Sequence, residues 1–133
     1  MYQIAKELHF CYGHRLMNHG GKCKRLHGHN AKVQITVEAV NLDADGMVMD
    51  FSDLKREVSN WIDEQFDHQM LLHKDDPIIA ALTTSGETFR ALEVHPTAEN
   101  LARLIFEFVK QLQFPVVEVI LWETNSCFAR YAV

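Results

Sequence analysis

An export signal, a membrane span and a disulfide framework are all missing from this sequence. Met1 to Glu7 carries no basic region followed by an apolar one, the pattern of a secretory signal. No apolar run approaches the roughly 18 residues that a membrane-spanning helix needs. The cysteines are Cys11, Cys23 and Cys127, an odd number at irregular spacing that does not read as a set of structural bridges. The expectation is a reducing cytoplasm, with thiols available for chemistry. A net charge of −5 argues against general nucleic-acid binding. Acid is also missing locally. Between Glu7 and Glu38 there is no Asp or Glu, yet Arg15, Lys22, Lys24, Arg25 and Lys32 lie there. Such a basic island suggests a local anion site; a solvated loop with a chance charge bias is the alternative.

The 133 residues suit one domain, 1–133, with ordinary hydrophobic (47%) and charged (23%) fractions. No repeat or low-complexity tract interrupts it. Residues 2–12 alternate loosely, with Ile4, Leu8, Phe10 and Tyr12 on one side and Glu7, His9 and Cys11 on the other, which reads as a strand. Residues 13–26 read as a loop. From 27 to 40 the alternation is clear: His27, His29, Ala31, Val33, Ile35, Val37 and Ala39 share a face. Asn41 to Gly46 supplies a turn, and Met47-Val48-Met49 reads as a short strand. Residues 52–66 read as a helix from the spacing of Leu54, Val58, Trp61, Ile62 and Phe66. Asp67 to Pro96 reads as mostly irregular, with a short helix over 77–82. Thr97 is an N-cap for a second long helix and Glu99 suits its positive first turn. Residues 116–122 and 127–132 read as a closing hairpin. The expected class is α+β: a four-stranded antiparallel sheet with two helices on one face.

His27-Gly28-His29 carries the strongest chemistry. Residues i and i+2 of a strand point the same way, so two imidazoles can reach one metal. His14, at the end of the preceding strand, supplies a third nitrogen if the two strands pair. Three neutral imidazoles with an open fourth position is a common arrangement for catalytic zinc. Histidines packed beside a sheet edge are the plainer reading of a lone His-x-His. Cys23 lies four residues before His27 and is a fourth ligand, a catalytic thiol or a bystander; Lys22, Lys24, Arg25 and a metal would all favour its thiolate. Cys11 and Cys127 lack such surroundings and read as core residues. In Asp67-His68 the carboxylate can fix the imidazole's tautomer, although adjacent residues often point apart. Glu123, at the end of a strand, can accept two parallel hydrogen bonds from a guanine-like ring edge, or can simply be solvated.

Taken in order, these segments resemble the 6-pyruvoyl-tetrahydropterin synthase family nearly end to end. They are Phe10-Cys11-Tyr12-Gly13-His14-Arg15-Leu16, Cys23-Lys24-Arg25-Leu26-His27-Gly28-His29-Asn30, Met49-Asp50-Phe51-Ser52-Asp53-Leu54-Lys55, Phe66-Asp67-His68, Pro96-Thr97-Ala98-Glu99-Asn100 and Trp122-Glu123-Thr124. The resemblance implies the tunnelling fold, in which three sheets close into a barrel and two trimers stack into a homohexamer. It implies zinc on His14, His27 and His29, and proton transfer by Cys23 and His68, with Asp67 orienting His68. It also implies that Asp67 and His68 serve the site of a neighbouring chain. Glu123 would anchor a pterin ring, and Lys24 and Arg25 would contact a triphosphate. Thr97 and Glu99 would add ring contacts, or would act only as helix-start residues.

The three-residue gap between Cys23 and His27 resembles the bacterial 6-carboxy-5,6,7,8-tetrahydropterin synthases of queuosine (7-deazapurine) biosynthesis. That implies conversion of 7,8-dihydroneopterin triphosphate and water to 6-carboxytetrahydropterin, acetaldehyde and triphosphate. 6-Pyruvoyl-tetrahydropterin synthase itself, which eliminates triphosphate and keeps the side-chain carbons, is the nearest alternative. A non-catalytic zinc-stabilised pterin-binding module is an alternative of another class, and it would not need Cys23, Asp67, His68 and Glu123 together. Two departures bear on substrate preference: Ala31, where many members carry an aromatic, and Ser126-Cys127-Phe128-Ala129.

Overall fold

Alternating apolar residues over two long stretches build the centre of the molecule. In the computed structural model, which describes residues 1–133, β1 (Tyr2–His14) and β2 (His27–Ala39) pair antiparallel along their whole length. The register sets Tyr12 opposite His29, Gly13 opposite Gly28 and His14 opposite His27. On the other side of β2 lies β5 (Val116–Thr124), followed by β6 (Cys127–Ala132), both antiparallel. These four strands are the ones expected from the sequence.

The sheet is larger than the four-stranded one expected. The segment read as irregular contributes β3 (Gln69–His73) and β4 (Phe89–Leu92), both parallel additions, giving the order β4-β3-β1-β2-β5-β6. β3 escapes a period-2 reading because consecutive residues Leu71 and Leu72 are both fully buried; a strand covered on both faces has no polar side to alternate with. Met47-Val48-Met49 is not a strand. Asp43 folds that segment into a turn, its carboxylate accepting from the N–H groups of Asp45 and Met47. Val48 and Met49 then rest half-buried on the core as the chain enters the first helix.

Three helices form, the two long ones expected and the short one between them. α1 (Phe51–Gln65) opens on Asp50, whose side chain accepts from the Ser52 N–H, and buries Leu54, Val58 and Ile62. α2 (Ile78–Ser85) is the short helix expected near 77–82 and ends on Gly86 at φ +75°, the left-handed position that suits glycine. α3 (Ala98–Gln111) is capped by Thr97 and buries Leu101, Ala102, Ile105, Phe106 and Val109. With Val33, Ile35, Val37, Val119 and Leu121 from the sheet, these make one continuous core. No helix is long and apolar enough to cross a membrane.

The opposite face of the sheet is polar. Gln3 bonds Glu38, Glu7 faces Lys32, Lys32 lies over the Trp122 ring and Arg130 pairs with Glu118. What the sheet leaves unsatisfied is edge: from Tyr2 to Cys11 the outer side of β1 has no strand beside it, and neither does the outer side of β6.

Candidate active site

Strand register brings three histidines to one point. His14 ends β1 and His27 begins β2 directly opposite it, with His29 one pleat along on the same face. His14 Nε2 lies 2.9 Å from His27 Nε2 and 3.2 Å from His29 Nε2. Two nitrogens on a tetrahedral divalent metal, each bound at ~2.05 Å, sit about 3.3 Å apart, so the spacing is close to that of a ligand set. Two of the other ring nitrogens are spoken for: His14 Nδ1 donates to the Pro96 carbonyl at 2.7 Å and His27 Nδ1 to that of Arg25 at 2.7 Å. A backbone anchor on Nδ1 leaves Nε2 as the lone-pair nitrogen. Burial holds the His14 pKa below its ordinary value against the opposing pull of the Pro96 bond, keeping the imidazole neutral. Ring nitrogens converging this closely fit a divalent cation.

Gly28 permits this convergence. A Cβ there would lie 3.1 Å from the Tyr12 carbonyl oxygen, a backbone atom that cannot yield without moving β1.

Beside the histidines stand Tyr12 and Glu123. The Tyr12 hydroxyl donates to Glu123 Oε1 at 3.3 Å, and Glu123 Oε2 lies 3.9 Å from His29 Nε2. Burial first, and the Glu123 charge second, push the Tyr12 pKa far above that of a free phenol, so it stays a neutral donor. Sequence reasoning did not single Tyr12 out. The signal was present: it lies two residues before His14, on the same face of β1.

Asp67 and His68 do point together. His68 Nδ1 donates to Asp67 Oδ2 at 2.7 Å, and Asp67 Oδ1 accepts from the Cys11 N–H at 3.0 Å. Burial alone would raise the Asp67 pKa; the Cys11 N–H and His68 outweigh it and hold the carboxylate below its ordinary range. His68 has φ +57° and its N–H donates to the Cys11 carbonyl at 2.7 Å. That conformation is uncommon outside glycine and recurs at functional sites. Cys11, expected in the core, is instead half-buried with its sulfur 3.6 Å from the His68 ring nitrogens, and Cys127 is exposed rather than core.

Alternation along β1 puts Cys11 and His14 on opposite faces. Asp67 and His68, gathered at Cys11, therefore lie on the polar face, while the three histidines, Tyr12 and Glu123 lie on the helix-covered one. A cleft of about 640 Å³ runs past the strand ends and is lined by Cys11, His27, His29 and His68 among others. Cys23 sits in a 3-10 turn (Lys22–Lys24), its carbonyl accepting from the Leu16 N–H, and its sulfur does not join the three-nitrogen cluster. All three cysteines are free thiols.

Lys24 and Arg25 line a second cleft of about 540 Å³ with Arg15, three of the five cations of the basic island. Arg15 is committed to the buried carboxylate of Asp76. Thr97 and Glu99 occupy the start of α3: the Thr97 hydroxyl accepts from the Asn100 N–H at 3.2 Å and Glu99 is exposed. Ala31 is fully buried opposite Phe10, whose ring stacks between those of Tyr12 and Phe66.

The sequence profile of the family described as 6-pyruvoyl tetrahydropterin synthase matches residues 3–133. A 6-carboxy-5,6,7,8-tetrahydropterin synthase of Rickettsia bellii is 36% identical, over 96% of this chain and 98% of that protein. One of Haemophilus influenzae is 35% identical, over 98% and 99%. Among solved structures, an uncharacterised Wolinella succinogenes protein superposes with a TM-score of 0.84 at 29% identity, covering 98% of this chain and 97% of that one. The 6-pyruvoyl tetrahydropterin synthase of Caenorhabditis elegans superposes at 0.75 with 25% identity, covering 99% and 95%.

Proposed function

Because the chain belongs to the 6-pyruvoyl tetrahydropterin synthase family, we propose that this tetrahydropterin synthase is the 6-carboxy-5,6,7,8-tetrahydropterin type, dependent on zinc. It would convert 7,8-dihydroneopterin triphosphate and water to 6-carboxytetrahydropterin, acetaldehyde and triphosphate, as a cytoplasmic step toward queuosine. The observation that carries the reading is the convergence of three Nε2 atoms, of which that of His29 lies 3.9 Å from the Glu123 carboxylate, which sets a cation beside a ring-edge acceptor. The names of the Rickettsia and Haemophilus relatives favour the carboxy product.

His14, His27 and His29 would hold the zinc, which when bound supplies Lewis acidity toward the substrate's side-chain hydroxyls. Glu123, fixed by the Tyr12 hydroxyl, accepts the two N–H groups of the pterin's guanine-like edge and so sets which carbon faces the histidines. Asp67 holds the His68 Nδ1 proton, leaving Nε2 to take and return a proton. Cys23, off the metal, is the second proton carrier. Lys24 and Arg25 in the basic cleft would receive the triphosphate.

The position of His68 on the opposite face of β1 from the metal ligands supports a site shared between chains. Pairing the free outer edge of β1 with that of β6 on a neighbour would close a barrel and remove both exposed edges, and stacking two such trimers gives the proposed homohexamer. Incubation with 7,8-dihydroneopterin triphosphate tests the reaction. Acetaldehyde released in step with triphosphate is the expected result; triphosphate without acetaldehyde assigns the pyruvoyl product, and neither product overturns the enzyme reading.

A further inference from the structure

We infer that His95 is a positioning residue for the proposed zinc site: seated on the His73 ring, it holds the Pro96 carbonyl that fixes His14. The inference rests on the zinc reading above and adds to it two residues outside the ligand set.

His14 carries the buried anchor of the three-histidine cluster. Its Nδ1 donates to the Pro96 carbonyl at 2.7 Å, and both residues are buried. The matching bond of His27, to the Arg25 carbonyl, is exposed. An outer partner of this kind fixes the tautomer of a ligating histidine and aims its free nitrogen. The orientation of the His14 ring therefore depends on where one carbonyl stands.

That carbonyl belongs to the strap between β4 and α3. The proline ring locks φ, so little rotation separates the Pro96 carbonyl from the seat of the residue before it. That residue, the half-buried His95, is held from two sides. Its carbonyl accepts from the Thr97 N–H at 2.8 Å and from the Asn100 side-chain amide at 2.9 Å, which ties its backbone to the start of α3. Its ring lies on that of His73, with centroids 4.5 Å apart and planes 31° from parallel, a stack of the kind aromatic rings favour. The stack ties the strap to β3, the strand beside β1.

His73 is a firm seat. It lies two residues beyond Leu71, the register partner of His14, so it shares the face of His14 one pleat along. Its Nδ1 accepts from the Asp75 N–H at 3.0 Å, and its side chain is only 15% accessible. Its carbonyl accepts from the Asp76 N–H at 2.9 Å, and the Asp76 carboxylate pairs with Arg15, the residue after His14. The end of β3 thus reaches His14 by two routes. One runs through His95 and Pro96 to the ring, the other through Asp76 to the next residue of the chain.

Two variants of His95 separate the ring contact from mere filling of space. His95→Leu keeps an apolar side chain of similar size without a flat ring, and His95→Phe keeps a flat ring without the nitrogens. Zinc affinity is measured by competition with a chromophoric chelator, and the His14 Nδ1–H proton is followed by NMR in the zinc-free protein. His95→Leu should bind zinc roughly tenfold more weakly, the lower end for loss of an outer partner, with the Nδ1–H signal lost to exchange. His73→Leu should behave in the same way. His95→Phe should bind zinc as the unaltered protein does and keep the signal. Equal affinity in the unaltered and His95→Leu proteins overturns the inference alone, as does a His95→Phe protein that binds as weakly as His95→Leu. An unaltered protein that binds no zinc overturns the zinc reading and this inference together.

Discussion

The histidine triad was legible because strand geometry is. Alternation fixed that His27 and His29 share a face, and pairing of β1 with β2 brought His14 to them at 2.9 and 3.2 Å. Cys23 was harder: adjacency in sequence left it as ligand, thiol catalyst or bystander, and only the folded chain separates its sulfur from the cluster. Two substitutions read this division. His27→Ala should purify without stoichiometric zinc, by metal analysis, with its far-ultraviolet spectrum intact. Cys23→Ala should keep one zinc per chain and lose turnover by about 10²–10⁴-fold, the usual worth of a positioned proton carrier. A metal-free but folded Cys23→Ala protein would make the sulfur a ligand and remove it from proton transfer.

Asp76 belongs to the same scale and was not visible in the sequence at all, because its partner is 61 residues away. Burial pushes its pKa up, but the Arg15 hydrogen bond and the Ile78 N–H together bring it below the ordinary carboxylate value. A depressed folded pKa contributes stability that is complete above the unfolded pKa and is lost as pH falls through the folded one. The window therefore opens near pH 3.9 and extends below it. Asp76→Ala should cost about 3 kcal/mol at neutral pH, the lower end for a broken buried pair because Arg15 keeps some access to water. The same variant should show a shallower loss of stability below pH 4, measured by urea unfolding across pH.

At the scale of elements, the long strands and long helices were readable and the short ones were not. β1, β2 and the β5–β6 hairpin carry their alternation in the sequence, and α1 and α3 carry a 3.6-residue stripe. β3 has no such signature, since a strand covered on both faces is apolar on both sides, as Leu71 and Leu72 are, and β4, four residues at the edge of the sheet, is too short to show a period. Met47-Val48-Met49 looked extended because it is apolar, but the Asp43 carboxylate closes it into a turn. The start of α3 tests a reading that sequence could not decide, helix cap against ring contact for Thr97. The hydroxyl accepts from the Asn100 N–H, and the Pro96 carbonyl immediately before it holds His14. Thr97→Ala should lower stability by about 1 kcal/mol, a typical cap loss, and Thr97→Ser should restore most of it in thermal unfolding. Restored stability with turnover still depressed would give Thr97 a contact with substrate as well.

At the scale of the whole molecule, the faces of β1 decide how a site is completed. One chain places its three clustered histidines, Tyr12 and Glu123 on the helix-covered side and Asp67 with His68 on the polar side. A neighbour docked along a free edge can present its own His68 from outside. The physical ground for assembly is accordingly the two open strand edges, not a bare apolar face, since the uncovered face is laced with ion pairs. Complementation tests this directly. Cys23→Ala and His68→Ala proteins, each inactive, are mixed in equal amounts and allowed to exchange subunits, with exchange followed by native mass spectrometry. If a site takes Cys23 from one chain and His68 from another, random mixing leaves about one quarter of sites with neither defect, and activity should return toward that fraction of the unaltered enzyme. If each chain carries its own complete site, every site keeps one defect and activity stays at the level of the separate variants. Exchange without recovery would therefore confine the acid–base pair to its own chain and overturn the shared site.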